Sequence, residues 1–321
     1  MAVLTFNTAM RLLSQNNHQA VYDLAVTALR ENEKNPMGFF FLGMIASEHG
    51  QHDKALELFA KASEHGPSNA RYQAFHAKAL MTMGFQAEAK SQADRAVKLR
   101  TKDAFVTDII GTVYSRVGHH ELAAPLFKQA AKLNPNWALF QYNLGASAQF
   151  IGDIKAAKSA YLQAVKIDPN FYRAWFSLVS LETQSNDNNH LTKLESLFSK
   201  AMQDADGQLL IGHAIAKTLE DMDKFPESLE WLKKAKAMRK TQVRFDESAM
   251  KAMFTAAKTI KDRAQSNPKS DADITPVFIV GLPRTGTTLI DRILSSHANV
   301  MSVGELDRFT QIVENPKNWH Q

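Results

Sequence analysis

Small and apolar residues recur along most of this chain at a fixed step. Gly43, Ala77, Gly111 and Gly145 stand 34 residues apart, and Ala55, Ala89, Ala123 and Ala157 repeat that step. Phe59, Ala93, Phe127 and Tyr161 make a third series, and Ala62, Ala96, Ala130 and Ala164 a fourth. Pro67, Pro135 and Pro169 close three of the four units, with Thr101 in the remaining one. A period of ~34 predicts a helix–turn–helix unit stacked on copies of itself. Small residues let the two backbones of a unit approach, and the aromatic of the second helix fills the gap beside them. Proline then stops the second helix, because it has no N–H to continue the ladder. The stack is expected over residues 3–240, with weaker ends. Residues 3–35 lack the glycine and the proline, SNDNNH (185–190) lengthens a turn in a fifth unit, and a helix pair near 208–222 and 226–239 ends the array.

Beyond Lys240 the period is lost, and the pattern predicts different elements. Residues 246–264 read as one amphipathic helix carrying Met250, Met253, Phe254, Ala257 and Ile260 on one face. QSNPKSDADITP (265–276) is a linker by composition. VFIV (277–280) is the continuous β-prone run expected of a strand buried on both faces of a parallel sheet. Residues 287–295 have helical spacing through Leu289, Ile290, Ile293 and Leu294, and NVMSVGE (299–305) reads as a second short strand. Strand, loop, helix and strand make one βαβ unit with a right-handed crossover. The expected fold is therefore mostly α: a solenoid over 3–240, a helix and linker over 241–274, and the start of a P-loop-type α/β domain over 275–321.

Composition narrows the partners. A chain of 321 residues with 45% hydrophobic content is globular and long enough for about two domains. Basic residues outnumber acidic ones 28 to 24 through residue 240 and 10 to 9 after it, so no part is a polycation and nucleic-acid binding is not expected. The absence of cysteine removes disulfides, thiolate metal sites and cysteine nucleophiles, and fits a reducing cytoplasm, the expected location. GFFFLGMIA (38–46) is about half the ~20 residues a membrane span needs. The first positive charge, Arg11, follows the apolar N-terminal residues, the wrong order for a secretory signal, so no membrane segment is expected. His49, His52, His119 and His120 fall at predicted turns without a zinc-type carboxylate–histidine set, and read as solvated turn residues. Lys233, Lys234, Lys236, Arg239 and Lys240 make either a phosphate or membrane patch or, the preferred reading, a helix end whose charges complement the dipole. Trp137, Trp175 and Trp231 read as core or groove-wall aromatics.

The chemistry concentrates in VFIVGLPRTGTTLIDRIL (277–294). A glycine-rich turn feeding a helix N-terminus aims successive backbone N–H groups at one point, which makes an anion site. Thr287 and Thr288 add hydroxyls and Arg284 a permanently charged guanidinium. Ligands of open α/β sheets sit beyond the carboxyl ends of the strands, so 281–288 and Gly304–Glu305 should share one rim. A dinucleotide site wants G-x-G-x-x-G, which Gly281 and Gly286 do not match, although Glu305 supplies an acidic residue at about the right distance. A nucleotide triphosphatase wants a lysine where this chain runs Gly286, Thr287, Thr288. A glycine turn without any ligand is the remaining alternative.

Two resemblances bear on these residues. The repeats, most clearly LGMI (42–45), ALELFAKA (55–62) and Pro67, resemble tetratricopeptide repeats. TPVFIVGLPRTGTTLIDRILSSHANVMSVGEL (275–306) resembles the sulfotransferase family, in particular the tetratricopeptide-repeat sulfotransferases related to tyrosylprotein sulfotransferases. That resemblance implies that Pro283-Arg284-Thr285-Gly286-Thr287-Thr288-Leu289 grips the 5′-phosphosulfate of 3′-phosphoadenosine-5′-phosphosulfate, without a metal. It implies in-line transfer of the sulfuryl group to an acceptor hydroxyl, a protein tyrosine being one candidate. Arg284 would neutralise the leaving oxygen, the loop N–H groups with Thr285, Thr287 and Thr288 would hold the donor, and Glu305 would be the general base. A helix-capping or ion-paired role for Glu305 competes with this one, and His297 is expected to end the helix. The solenoid implies a groove for a peptide or protein, or a support for the downstream domain. The family's transferase domain is several times longer than the stretch after Ile274, and two strands with one helix cannot bury a parallel core. The chain by itself is therefore expected to be an incomplete, inactive form; the alternative is a protein-binding repeat scaffold with a vestigial tail.

Overall fold

The computed structural model describes residues 3–243, 246–259, 274–282 and 284–304. The chain divides into two compact units, Met1–Phe245 and Asp246–Gln321. The first is a stack of helix pairs: α1 (Phe6–Ser14) with α2 (His18–Glu31), α3 (Pro36–Glu48) with α4 (His52–His65), and α5 (Ala70–Thr82) with α6 (Gln86–Lys98). It continues through α7 (Ala104–Arg116) and α8 (His120–Leu133), α9 (Ala138–Phe150) and α10 (Ile154–Ile167), and α11 (Tyr172–Leu181) and α12 (Leu191–Lys200). The last pair is α13 (Ala205–Asp221) and α14 (Phe225–Gln242). From α3 to α11 the first helix of each pair begins 34 residues after the last, as the sequence period predicts.

Local chemistry sets these boundaries. Asn35, Asn69 and Asp103 cap α3, α5 and α7 through side-chain oxygens that accept first-turn N–H groups, such as Gly38 N to Asn35 Oδ1 at 3.1 Å. Gly50, Gly84, Gly118 and Gly152 occupy the turn inside each pair with φ between 70° and 85°, where a side chain is disfavoured. This is a further 34-residue series. Asn16, with φ 55°, takes the same place between α1 and α2, so the first pair turns without a glycine. Each closing proline is tied to the following helix through its carbonyl. Gln73 Nε2 donates to Pro67 O (3.2 Å), Gln141 Nε2 to Pro135 O (3.1 Å) and Trp175 Nε1 to Pro169 O (3.0 Å).

Inside the pairs, the small and aromatic series turn out to be coupled. A Cβ on Gly43 or Gly111 would lie 2.9 Å from the ring of Phe59 or Phe127, and one on Gly145 would lie 2.7 Å from that of Tyr161. Ala77 carries a Cβ, and there the facing position is Ala93 rather than an aromatic, with both residues fully buried. The α11–α12 pair departs most: its long turn is held by Asn189 Nδ2 donating to Ser185 O (2.8 Å) and by Gln184 N donating to Asp221 Oδ2 (2.8 Å).

In the second unit, α15 (Glu247–Thr259) starts where the amphipathic pattern starts, and α16 (Thr287–Ser295) spans the predicted residues. Ile260 and most of the predicted linker lie outside the described residues. The two predicted strands differ: among the described residues neither 277–280 nor 299–304 forms one. β-propensity is a tendency to fit a paired, half-buried surface, and Phe278 and Val280 are 83% and 91% exposed. With no neighbouring strand to complete a ladder among the described residues, the tendency stays unrealised.

Candidate functional site

The loop before α16 folds its threonine side chains closely against Gly281. A Cβ on Gly281 would sit 2.7 Å from Thr285 Oγ1 and 3.0 Å from Thr287 Cγ2, so a larger residue there would have to displace these threonine side chains. Thr285 donates twice to the Leu282 carbonyl, from its N–H (3.2 Å) and its hydroxyl (2.7 Å). Arg284 and Gly286 both lie in the left-handed region, with φ 70° and 94°. For Arg284 that conformation is strained. Gly286 caps α16 without a side chain, so the N–H groups of its first turn meet no side-chain acceptor, while Ile290 N bonds Gly286 O at 3.1 Å. Backbone donors, the positive end of the helix dipole, the exposed Arg284 and the exposed Thr288 thus lie along one short stretch.

Of the other predicted site residues, Pro283 and Glu305 lie outside the described residues. The segment leading toward Glu305 is tied to α16 by Ser302 Oγ donating to Asp291 Oδ1 (2.7 Å), and Gly304 N donates back to Ser302 Oγ (3.2 Å). His297 ends the helix as expected: its N–H bonds Leu294 O at 3.1 Å and its Nδ1 accepts from Asn299 N at 3.2 Å. Among the described residues no group of three or more His, Asp and Glu side chains could hold a metal ion, and no helix is long and apolar enough to cross a membrane. His49 and His52 flank the α3–α4 turn, and His119 and His120 begin α8.

The solenoid carries a second polar feature, which the sequence pattern did not reveal. Asp108 on α7 is buried and accepts from Asn143 Nδ2 on α9 at 2.8 Å. Burial pushes its carboxyl up to about 6, opposed by the Asn143 hydrogen bond and the charge of Lys78 on α5. Three successive first helices therefore contribute to one polar strip. Because the folded state holds this proton between the unfolded and folded pKa values, the Asp108 contribution to stability falls as pH rises through about 6. Asp108→Asn keeps an acceptor for Asn143 and should stabilise the protein at pH 7.5 by about 1–3 kcal/mol, with little gain at pH 4. Urea unfolding at the two pH values checks this, and an equal effect at both would contradict it.

The aromatic and basic readings divide. Trp175 is core and Trp231 packs edge-on against Phe198 at 5.1 Å, whereas Trp137 is 44% exposed beside Phe105 at 5.0 Å. On α14, Lys233 pairs with Glu230 (2.7 Å), Arg239 with Asp206 (3.3 Å), and Lys234 lies 4.7 Å from the Trp231 ring centre, the arrangement of a solvated helix end.

Comparison with known proteins separates the two units. Residues 138–171 match a tetratricopeptide-repeat model. The repeats are tetratricopeptide repeats. Residues 276–321 match a model of the sulfotransferase family. Among curated proteins, an uncharacterized protein of Aquifex aeolicus is 26% identical over 215 residues, covering 61% of this chain and 27% of its own length. Anaphase-promoting complex subunit 3 of Schizosaccharomyces pombe is 23% identical over 190 residues, covering 59% and 29%. The chain thus spans less than a third of the length of these relatives. Two solved structures share the tetratricopeptide fold. The human IFIT1 dimer with PPP-AAAA has a TM-score of 0.53 at 18% identity, over 75% of this chain and 59% of that one. The APC/C hetero-tetramer Cut9-Hcn1 has a TM-score of 0.50 at 14% identity, over 71% and 48%. At such identities the likeness is one of fold.

Proposed function

We propose that residues 277–304 form the donor-binding front of a sulfotransferase site that takes 3′-phosphoadenosine-5′-phosphosulfate, joined to a tetratricopeptide solenoid that holds a peptide or protein. The observation that carries this reading is the loop itself. Its closely packed Gly281, its left-handed Arg284 and Gly286 and its helix N-terminus without a side-chain cap fall within the one stretch that matches the sulfotransferase family. In such a site an acceptor oxygen attacks sulfur as the bond from sulfur to the 5′-phosphate oxygen breaks, releasing adenosine 3′,5′-bisphosphate. The Gly286–Leu289 amides and the Thr287 and Thr288 hydroxyls hold the phosphosulfate, and Arg284 neutralises the oxygen that leaves. Glu305, by its position in the motif, takes the acceptor's proton.

The apolar residues of α16, Leu289, Ile290, Ile293 and Leu294, are all exposed, and so is Phe278. A transfer site needs a dry, enclosed loop, so no sulfate transfer is expected from the 321-residue chain alone. Donor binding is the sharper test. Titrating the labelled protein with 3′-phosphoadenosine-5′-phosphosulfate should shift the amide resonances of residues 281, 282 and 284–289, and Gly286→Val, which cannot hold φ 94°, should abolish the shifts. An unresponsive loop, or identical shifts in the variant, would count against the reading. The second reading, a protein-binding scaffold with a vestigial tail, is favoured by the lack of strands among the described residues of 277–304. It becomes the better account if the loop does not respond.

A further inference from the structure

One connection in the solenoid breaks the repeat. Asn32, Gly66, Asn134 and Asp168 end the second helices of their pairs with φ between −124° and −146°. Arg100 is their equivalent between α6 and α7, and its φ is +48°. That left-handed backbone is costly for a residue with a side chain. The next residue is Thr101, where three other pairs carry proline. Beside this connection, between the first turns of α5 and α7, lies an open recess of ≈ 520 Å³. The volume falls within the range of small-molecule and peptide side-chain sites.

The lining is mixed in an ordered way. Phe6, Met37, Tyr72, Leu99 and Val106 supply the apolar wall. Arg71 stands among them with its guanidinium stacked on the Phe6 ring at 3.6 Å and ion-paired to Asp103. The carboxylate is fully engaged: Oδ1 accepts from Phe105 N (2.9 Å) and Val106 N (3.2 Å) at the start of α7, and Oδ2 accepts from Arg71. Arg71 has further N–H donors, and its orientation is fixed on both sides by Phe6 and Asp103. The hydroxyl of Ser68 and the amide of Asn69, whose oxygen accepts from Arg71 N at 3.0 Å, add donors at the mouth. Near the recess the chain carries Arg71, Arg100 and Lys102 against Asp103, so the local balance is positive.

We propose, resting on the reading of the solenoid as a peptide-holding unit, that this recess is a binding site, separate from the C-terminal loop, for a peptide segment in which an aromatic or aliphatic side chain neighbours a carboxylate. The apolar side chain lies against Phe6, Tyr72 and Val106, and the carboxylate meets the free edge of Arg71 as a charge-assisted hydrogen bond. A guanidinium already held in place over an aromatic ring is the fixed donor that a preorganised site requires.

The test is fluorescence anisotropy with the intact 321-residue protein and a labelled peptide alternating aspartate with phenylalanine and leucine. Saturable binding is expected, weakened about tenfold or more when asparagine replaces each aspartate, and by a similar factor in Arg71→Gln. Arg71→Gln also removes the ion pair to Asp103, so Ser68→Trp, at an exposed loop position, serves as a second variant that fills the mouth and should block binding with the helices intact. Absence of saturable binding overturns the proposal. So does equal affinity for the asparagine peptide, or loss of binding in Lys78→Gln with Arg71→Gln unaffected, which would place the peptide on the polar strip instead.

Discussion

Replacing Phe40 with alanine is expected to cost about 3–5 kcal/mol, the largest single-residue effect anticipated in the solenoid. The side chain is 1% exposed and lies within ring-contact distance of five others: Phe75 (5.0 Å), Phe41 and Tyr72 (both 5.2 Å), Phe59 (5.9 Å) and Phe6 (6.4 Å). These rings come from α1, α3, α4 and α5, so the cavity would open between pairs as well as within one. Rigid helices on every side limit how far it can collapse. In a stacked array each pair is stabilised mainly by its neighbours, so the loss should appear first as local opening of α1–α4. Hydrogen exchange should rise there before urea unfolds the pairs after α7. A loss under about 1 kcal/mol, or exchange that rises uniformly along the array, would show that this aromatic cluster does not join the pairs.

The second large effect is expected at Gly145. Its missing Cβ lets α9 lie against Tyr161, whose ring atoms would stand 2.7 Å from an added methyl. The ring cannot swing aside freely, because it is 1% exposed and its hydroxyl donates to Gln149 Oε1 at 2.8 Å. Gly145→Val should therefore destabilise by about 3 kcal/mol, and Gly145→Ala by somewhat less. The array already contains the compensated form of this contact, since Ala77 faces Ala93. Combining Gly145→Ala with Tyr161→Ala should consequently cost less than the two single changes added together, by about 1–3 kcal/mol of coupling. A double-mutant cycle in urea measures it. Strict additivity would mean that the backbone separation, rather than the ring, controls which residue is tolerated at 145.

Much of the solenoid was legible because a 34-residue step repeats the same physical demand at each turn of the stack. The small-against-aromatic contact, the closing prolines and the helix pairs all follow from it. The glycines at 50, 84, 118 and 152 carried the same step and could have been read as left-handed turn positions, with Asn16 as the matching residue of the first pair. The Asp108–Asn143 bond had no such signal. The two residues are one repeat plus one position apart, and nothing in their spacing says that successive first helices face each other there. At the C-terminal loop the motif marked Gly281, Arg284 and Gly286, and the structure shows one close side-chain approach and two left-handed residues there. It did not reveal that the Thr285 hydroxyl serves Leu282.

What the amino-acid order determined by itself was periodicity and local chemistry: where helices start, where they turn, and which loop bends through left-handed backbone. These depend on residues within one turn or one repeat of each other. What only the tertiary structure decided depends on contacts between repeats or on neighbours from outside the segment. The burial that raises the pKa of Asp108, the recess beside the left-handed Arg100 and the stacking of Arg71 on Phe6 belong to the first kind. The strand-prone runs at 277–280 and 299–304 belong to the second. A strand is stabilised by the partner that completes its hydrogen bonds and covers its faces, and propensity within a segment cannot supply that partner.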